Sequence, residues 1–118
     1  YDAEGKFLRS IGHYGDNYGE FSRNKGVAVD RDNRVYVVDA AGQLVQMFDD
    51  TGRLLMWFGE ADAGRAGLNL PAKVLLDYDN VELFQRYASP DFKLEHLVIV
   101  MNQYGDRKVS VFGYGHKK

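Results

Sequence analysis

The chain contains no cysteine and only two prolines among its 118 residues. Without cysteine it has no disulfide, no thiolate metal site, no sulfur-linked haem and no thiol nucleophile. The 17 acidic and 15 basic residues are mixed along the chain, so no long stretch of one sign is present to attract nucleic acid. No apolar run approaches the roughly 20 residues that a membrane-spanning helix needs.

Glycine, valine and aromatic residues are abundant instead. The chain has 13 glycines, and 14% of its residues are aromatic. Short clusters of β-branched and aromatic residues between glycine and aspartate predict strands with tight turns. We therefore expect a single all-β domain with little helix.

The sequence repeats with a period of 47 residues. Residues 1–12 align without a gap on residues 48–59, and the two segments share aromatic, acidic, glycine, basic and apolar positions. The same offset places residues 26–30 on residues 73–77. Two separate segments with one period indicate an internal structural repeat.

The offset becomes larger in the second half of the chain. Residues 37–42 match residues 100–105 at an offset of 63, and residues 45–48 match residues 109–112 at an offset of 64. The change from 47 to 63 indicates an insertion of about 16 residues before the match resumes.

We place the inserted loop at residues 78–95. Within it Val81, Phe84 and Tyr87 follow Asn80 at helical spacing. Asparagine is a favoured residue before the first turn of a helix. The insertion is therefore predicted to contain a short helix.

Each repeat contains four strand-like segments, which in the best-matched copy are residues 26–30, 34–40, 44–49 and 54–59. Four antiparallel strands repeated every 40 to 50 residues or so are typical of a β-propeller blade. The sequence thus predicts about two and a half four-stranded blades. Residues 1–12 end one blade, residues 13–59 form a complete blade, and residues 60–118 form a final blade with the inserted loop.

The repeat resembles the motif of the NHL family. It combines a glycine-rich turn at 19–21, an apolar stretch ending in aspartate at 27–30, a V-Y-V-x-D strand at 35–39 and F-D-x-x-G at 48–52. The last repeat departs from the motif, because Asn102 stands where the second aspartate is expected. The resemblance implies an NHL-type β-propeller, usually of six blades, and many such propellers are protein-binding platforms.

The end of the chain is similar to a bacterial subgroup of this family. The similarity lies in residues 102–115 and in residues 77–80 of the insertion. Members of the subgroup accompany multihaem c-type cytochromes outside the cytoplasm. The resemblance therefore implies a periplasmic or extracellular location and a multihaem cytochrome as a partner.

Two blades cannot close a ring, since propellers have about 4 to 8 blades. We expect the remaining blades to come from the same, longer chain, of which Tyr1 is not the natural start and residues 116–118 are the end. The alternative is a homotrimer, in which residues 7–12 of one copy complete the last blade of the next copy.

The residue pattern favours no catalytic, cofactor or metal site. Asp30, Asp39 and Asp77 recur at equivalent strand ends, where carboxylates accept hydrogen bonds from turn amides. The three histidines lack zinc-binding spacing, and no serine lies in a G-x-S-x-G context. We therefore predict a protein that is not an enzyme. The alternatives are a metal-dependent propeller lyase or esterase, a glycan-binding propeller, and His13 as a ligand to a partner's metal.

The predicted function is a scaffold for protein–protein interaction. In a propeller, the connections at 13–25, 40–43, 60–72 and 103–107 leave one face. They supply residue types that are enriched at protein interfaces. The predicted contact residues are His13, Tyr14, Tyr18, Arg23, Arg65, Tyr104 and Arg107. The insertion leaves the opposite face, where it covers the underside of the propeller or contacts a second partner.

Overall fold

The structure, a computed structural model, describes residues 3–13, 15, 18–20, 22–59, 67–68, 70–104 and 108–118. These residues form two antiparallel sheets and one short helix. The first sheet contains β1 (Asn24–Val29), β2 (Val35–Asp39), β3 (Leu44–Phe48) and β4 (Leu54–Phe58) in chain order. The second contains β5 (Pro71–Asp77), β6 (Phe92–Asn102) and β7 (Val109–Lys117), with helix α1 (Val81–Gln85) between β5 and β6. No helix in these ranges is long and apolar enough to cross a membrane.

The first sheet is a four-stranded meander, as the strand-like segments predict. Asp30, at the end of β1, accepts hydrogen bonds from the backbone N–H groups of Asp32 and Arg34, both at 2.9 Å. Asp77, at the end of β5, accepts two backbone N–H groups of its own turn in the same way. These strand-end carboxylates therefore shape turns, and the prediction for them is confirmed.

The second sheet has three strands, which agrees with a final blade that lacks its fourth. The insertion is shorter than the predicted 78–95, because residues 92–95 belong to β6, which pairs with residues 115–117 of β7. A Cβ on Gly115 would overlap the carbonyl oxygen of Lys93, so glycine permits this close pairing. The predicted helix is present as α1, but it is only five residues long.

The main hydrophobic core lies between the two sheets. Face B of the first sheet is defined by Tyr36, Val38, Val45 and Met47, and face A of the second sheet by Val74, Leu76, Val98, Val100 and Phe112. The two faces pack directly on each other. At the outer strands Phe58 of β4 meets Phe112, with ring centroids 4.8 Å apart. Burial of these side chains holds the sheets together.

The opposite faces of both sheets are apolar as well, since side chains alternate along a strand. Face A of the first sheet carries Val27, Val29, Val35, Val37 and Phe48, and face B of the second carries Leu75, Ile99, Met101, Val109 and Val111. The repeat offsets relate the two A faces: Val27 corresponds to Val74, and Val37 to Val100. The sheets are therefore stacked in the same orientation, as successive blades of a propeller are.

Residues 7–12 form no strand, although the repeat predicts one there. A strand pairs its backbone with a neighbouring strand, and neither sheet extends to this segment. The segment nevertheless lies where the repeat places it relative to the first sheet, because Ile11 packs against the cluster that contains Phe48. Phe58, its counterpart 47 residues later, packs against Phe112 in the equivalent place.

Substitution of Met47 by alanine tests the contact between the sheets. Met47 is 3% exposed, whereas Met56, its cross-strand partner on β4, is 42% exposed. We expect Met47→Ala to lower the free energy of unfolding by about 2–5 kcal/mol, the usual cost of truncating a buried methionine. Met56→Ala is the matched control, with an expected loss under about 1 kcal/mol. Urea unfolding followed by circular dichroism measures both, and equal losses would contradict the core described above.

Candidate functional site

One edge of the molecule gathers the connections that the sequence assigns to partner binding. Asp39, at the end of β2, accepts hydrogen bonds from the backbone N–H groups of Ser22 and Arg23 at 3.0 and 2.9 Å. It also accepts the N–H of Ala41, in the β2–β3 turn, at 3.1 Å. The side chain is buried, and these bonds compensate for its desolvation. One carboxylate therefore fixes both the segment before β1 and the β2–β3 turn.

Gln46 holds the same segment from the middle of β3. Its side chain is buried, its Oε1 accepts the Gly19 N–H at 2.6 Å, and its Nε2 donates to the Glu20 carbonyl at 2.8 Å. Both hydrogen bonds of this buried amide go to the main chain, so Gln46 holds the main chain of residues 19 and 20 in place. The sequence analysis gave Gln46 no role, because a polar residue in a strand carries no sign of a distant partner.

The second sheet joins this edge through Leu70. The Leu70 N–H donates to Gln43 Oε1 at 3.3 Å, and the Leu70 carbonyl accepts the Gln103 N–H at 3.1 Å. The β2–β3 turn, the segment before β5 and the β6–β7 loop are thus in contact. The described parts of the four connections therefore lie together, as the propeller geometry predicts.

Five of the exposed side chains described along this edge, which we call the loop-edge surface, are His13, Tyr18, Arg23, Trp57 and Tyr104. Tyr18 stacks on Trp57, with ring centroids 3.8 Å apart and planes inclined by 14°. The two residues nevertheless remain 52% and 39% exposed. His13 Nε2 lies 3.6 Å from the Glu20 carboxylate. The surface thus presents a pre-stacked aromatic pair beside cationic and polar groups.

Four of the predicted contact residues are in the described part of the chain, namely His13, Tyr18, Arg23 and Tyr104. The other three, Tyr14, Arg65 and Arg107, lie outside the described residues. Contact between these residues and a partner stays a prediction. The sequence analysis missed Trp57, because it considered connections alone and Trp57 lies on β4.

A groove of about 230 Å³ opens at the same edge. Its lining includes Tyr18, Ser22, Asp39 and Gln46. The Asp39 carboxylate and the Gln46 amide are already hydrogen-bonded to the backbone of the chain. These two groups are therefore already engaged, and Tyr18 is the aromatic side chain that lines the groove.

A second cluster joins the two sheets at the opposite edge. The ring of His96, on β6, contacts the rings of Tyr78 and Tyr114, each with its centroid 4.8 Å away. The Arg31 guanidinium lies 3.9 Å from the centre of Tyr78, and the Arg34 guanidinium lies 4.5 Å from that of Tyr114. Cation–π and stacking contacts thus attach the β1–β2 turn to the second sheet. We call these five residues the inter-sheet cluster.

A buried chain of hydrogen bonds lies against this cluster. The Tyr36 hydroxyl is 3.1 Å from Asp30 Oδ2 and 3.0 Å from His96 Nε2. Arg34 Nε donates to the same Asp30 oxygen at 2.6 Å. Because a carboxylate only accepts, the Tyr36 hydroxyl donates to Asp30 and accepts the Nε2 proton of His96.

Burial and pairing set the charges in this chain. Burial alone raises the pKa of Asp30, but hydrogen bonds from Arg34 and Tyr36 outweigh it and hold the pKa below its usual value. Burial lowers the pKa of His96, and the Asp30 carboxylate offsets this only in part. Burial and the same carboxylate raise the pKa of Tyr36. At neutral pH, Asp30 is therefore anionic, while His96 and Tyr36 are neutral.

The three residues linked by these hydrogen bonds are inaccessible to a substrate. Asp30 is 4% exposed, His96 is 1% exposed and Tyr36 is fully buried. Their hydrogen bonds therefore stabilise the contact between the sheets. Within the described ranges, no three His, Asp or Glu side chains are placed to hold a metal ion.

The buried His96 predicts a pH-dependent stability. Its folded-state pKa is lowered, whereas an unfolded histidine titrates near about 6.5. The unfolded state therefore binds the proton more readily, and the contribution of His96 to stability is complete above about pH 6.5 and is lost as the pH falls through the folded value. In His96→Gln, the glutamine amide can still donate a hydrogen bond to the Tyr36 hydroxyl, but it does not titrate.

We expect the free energy of unfolding to decline less between pH 7.5 and 5.5, or thereabouts, in His96→Gln than in the wild type. The control is Met56→Ala, which shortens an exposed side chain that has no titratable group and should keep the wild-type slope. Chemical denaturation across this range measures all three proteins. Identical slopes in wild type and His96→Gln would contradict the lowered pKa.

Comparison with known proteins finds similarity over most of the chain. No protein-family model matches it. Protein brain tumor of Drosophila melanogaster is 31% identical to it over 95 residues, which are 80% of this chain and 9% of that protein. The chain thus spans less than a tenth of the length of this curated relative. The matched stretch is as long as two of the 47-residue repeats.

Proposed function

We propose that the chain is part of an NHL-type β-propeller that acts as a protein-interaction scaffold and not as an enzyme. The stacking of the sheets supports the propeller, since two antiparallel meanders follow each other in the same orientation with repeat-equivalent side chains on equivalent faces. The similarity to Protein brain tumor extends over the length of two repeats, which favours a shared repeat architecture over a single shared motif. In this proposal the blades are divided at residues 12 and 59.

The exposed pair of Tyr18 and Trp57 is the observation that carries the binding function. Aromatic side chains supply much of the binding energy at protein interfaces. Side chains that are already ordered lose less entropy on binding. Asp39 and Gln46 fix the segment that carries Tyr18, so this pair is held in place before a partner arrives. The contact surface that we propose is the loop-edge surface, extended by Tyr14, Arg65 and Arg107.

The finer parts of the proposal rest on the sequence resemblance alone. These are a ring of six blades, a bacterial extracytoplasmic setting and a multihaem c-type cytochrome as the partner. Their support is the similarity in residues 77–80 and 102–115. A cytochrome partner has a direct readout, because its haem absorbance would co-elute with the chain in size-exclusion chromatography.

Paired substitutions of exposed tyrosines test the binding surface. Tyr18 and Tyr104 lie on the loop-edge surface, whereas Tyr87, which is 72% exposed, follows α1 in the insertion at the other edge. We expect the double variant Tyr18→Ala, Tyr104→Ala to lose at least about tenfold in affinity for the partner, as truncation of interface aromatics does. Tyr87→Ala is the matched control and should bind as the wild type does.

The partner is first captured on the immobilised wild-type chain from an extract of cells that naturally produce this protein. The affinity of the partner for each variant is then measured by surface plasmon resonance. Unchanged melting temperatures show that the variants are folded. Binding that survives the double variant and is lost in Tyr87→Ala would move the interface to the insertion.

A further inference from the structure

His96 differs in its surroundings from the other two histidines of the chain. It is 1% exposed, whereas the side chains of His13 and His116 are 75% and 59% exposed and each lies beside a glutamate carboxylate. Among the described residues, no carboxylate forms an ion pair with His96. A proton on His96 would therefore place a positive charge inside the protein without an ion-pair partner, which is unfavourable.

The neighbours of His96 in the inter-sheet cluster make this charge still less favourable. The rings of Tyr78 and Tyr114 lie against the imidazole, each with its centroid 4.8 Å away. Each of these two rings already contacts a cation, namely the guanidinium of Arg31 or of Arg34. A protonated His96 would be the third cation at two aromatic rings, and both guanidiniums would repel it.

The groups that face His96 from the elements packed around it carry both signs. Asp30 attracts a protonated His96, but the Tyr36 hydroxyl lies between them and the carboxylate is already paired with Arg34. Burial, together with repulsion by Arg34, outweighs the attraction by the nearby carboxylates, so the pKa of His96 lies below its usual value. The titratable and charged groups around His96 are Asp30, Arg31, Asp32 and Arg34 of the β1–β2 turn, Tyr36 of β2, Tyr78 after β5, Glu95 of β6 and Tyr114 of β7.

The opposite edge of the inter-sheet contact is held by groups that do not titrate. There the Leu70 N–H donates to the Gln43 side chain, and the Leu70 carbonyl accepts the Gln103 N–H. Amide hydrogen bonds of this kind do not change with pH in the range where histidine titrates. A fall in pH therefore acts on one edge of the contact and not directly on the other.

We propose that the inter-sheet cluster is a pH-sensitive joint, in which uptake of a proton by His96 releases the β1–β2 turn from the second sheet while the loop edge stays in contact. In the released state water solvates the imidazolium, and the two guanidiniums no longer lie close to it. The joint is closed at neutral pH, and release becomes more favourable as the pH falls below about 6.5. The joint does not depend on which partner the loop-edge surface binds.

Hydrogen exchange at two arginine amides, measured by NMR, tests the joint. The Arg31 N–H crosses the junction to the Tyr78 hydroxyl, whereas the Arg23 N–H bonds to Asp39 within the first sheet. After correction for the intrinsic pH dependence of exchange, we expect the protection of Arg31 to fall about three- to tenfold between about pH 7.5 and 5.5. A histidine that titrates near about 6.5 in the released state sets this range. Protection of Arg23 should stay within about twofold.

Two glutamine variants assign the change to one histidine. His96→Gln removes the titrating group from the junction, so the protection of Arg31 should no longer depend on pH. His13→Gln is the matched control, because it removes a histidine at the loop edge and should keep the loss at Arg31. Circular dichroism confirms that each variant is folded.

Three results would overturn the joint. These are an unchanged Arg31 in the wild type, an equal loss at Arg31 and Arg23, which means that the whole chain unfolds, and a loss at Arg31 that persists in His96→Gln. The first two are read from the wild type alone, so the inference remains testable if His96→Gln does not fold.

Discussion

The apolar contact between face B of the first sheet and face A of the second is the constraint on which the rest of the structure depends. A four-stranded or three-stranded sheet alone exposes an apolar face that only another layer can cover. In this chain each sheet covers one face of the other, and both edges of the stack are thereby brought into register. Leu70 can then bridge Gln43 and Gln103 at one edge, while the inter-sheet cluster forms at the other.

The two edges use similar residues for different purposes. At one edge the side chains of Asp39 and Gln46 form hydrogen bonds with the main chain before β1. The exposed side chains at this edge therefore extend from a fixed main chain. At the other edge Asp30 serves its own turn and also the Tyr36 hydroxyl, which links it to His96 in the second sheet. The buried polar side chains described here are engaged in maintaining structure. Recognition is left to the aromatic and charged groups on the surface.

The elements with strong local signals could be predicted from the sequence. The 47-residue period and the strand-end aspartates predicted the four strands of the first sheet and the three of the second. The length of β6 was not predicted, because the repeat comparison assigned residues 92–95 to an insertion, although their polar and apolar side chains alternate as in a strand. The roles of His96 and Gln46 depend on partners on other strands, which periodicity does not reveal. Residues 7–12 carry the pattern of a strand, but strand formation also needs a neighbour.

Arg31 and Tyr78 occupy the same position in successive repeats, 47 residues apart, and they touch each other across the junction. The Arg31 N–H also donates to the Tyr78 hydroxyl at 2.9 Å. Strict symmetry between the repeats would bring two arginines or two tyrosines together at this point, and two arginines would repel. The difference between the two copies is therefore what makes them compatible neighbours. Exchanging one repeat for a duplicate of the other would break this pairing, so the two repeats are not interchangeable at this position.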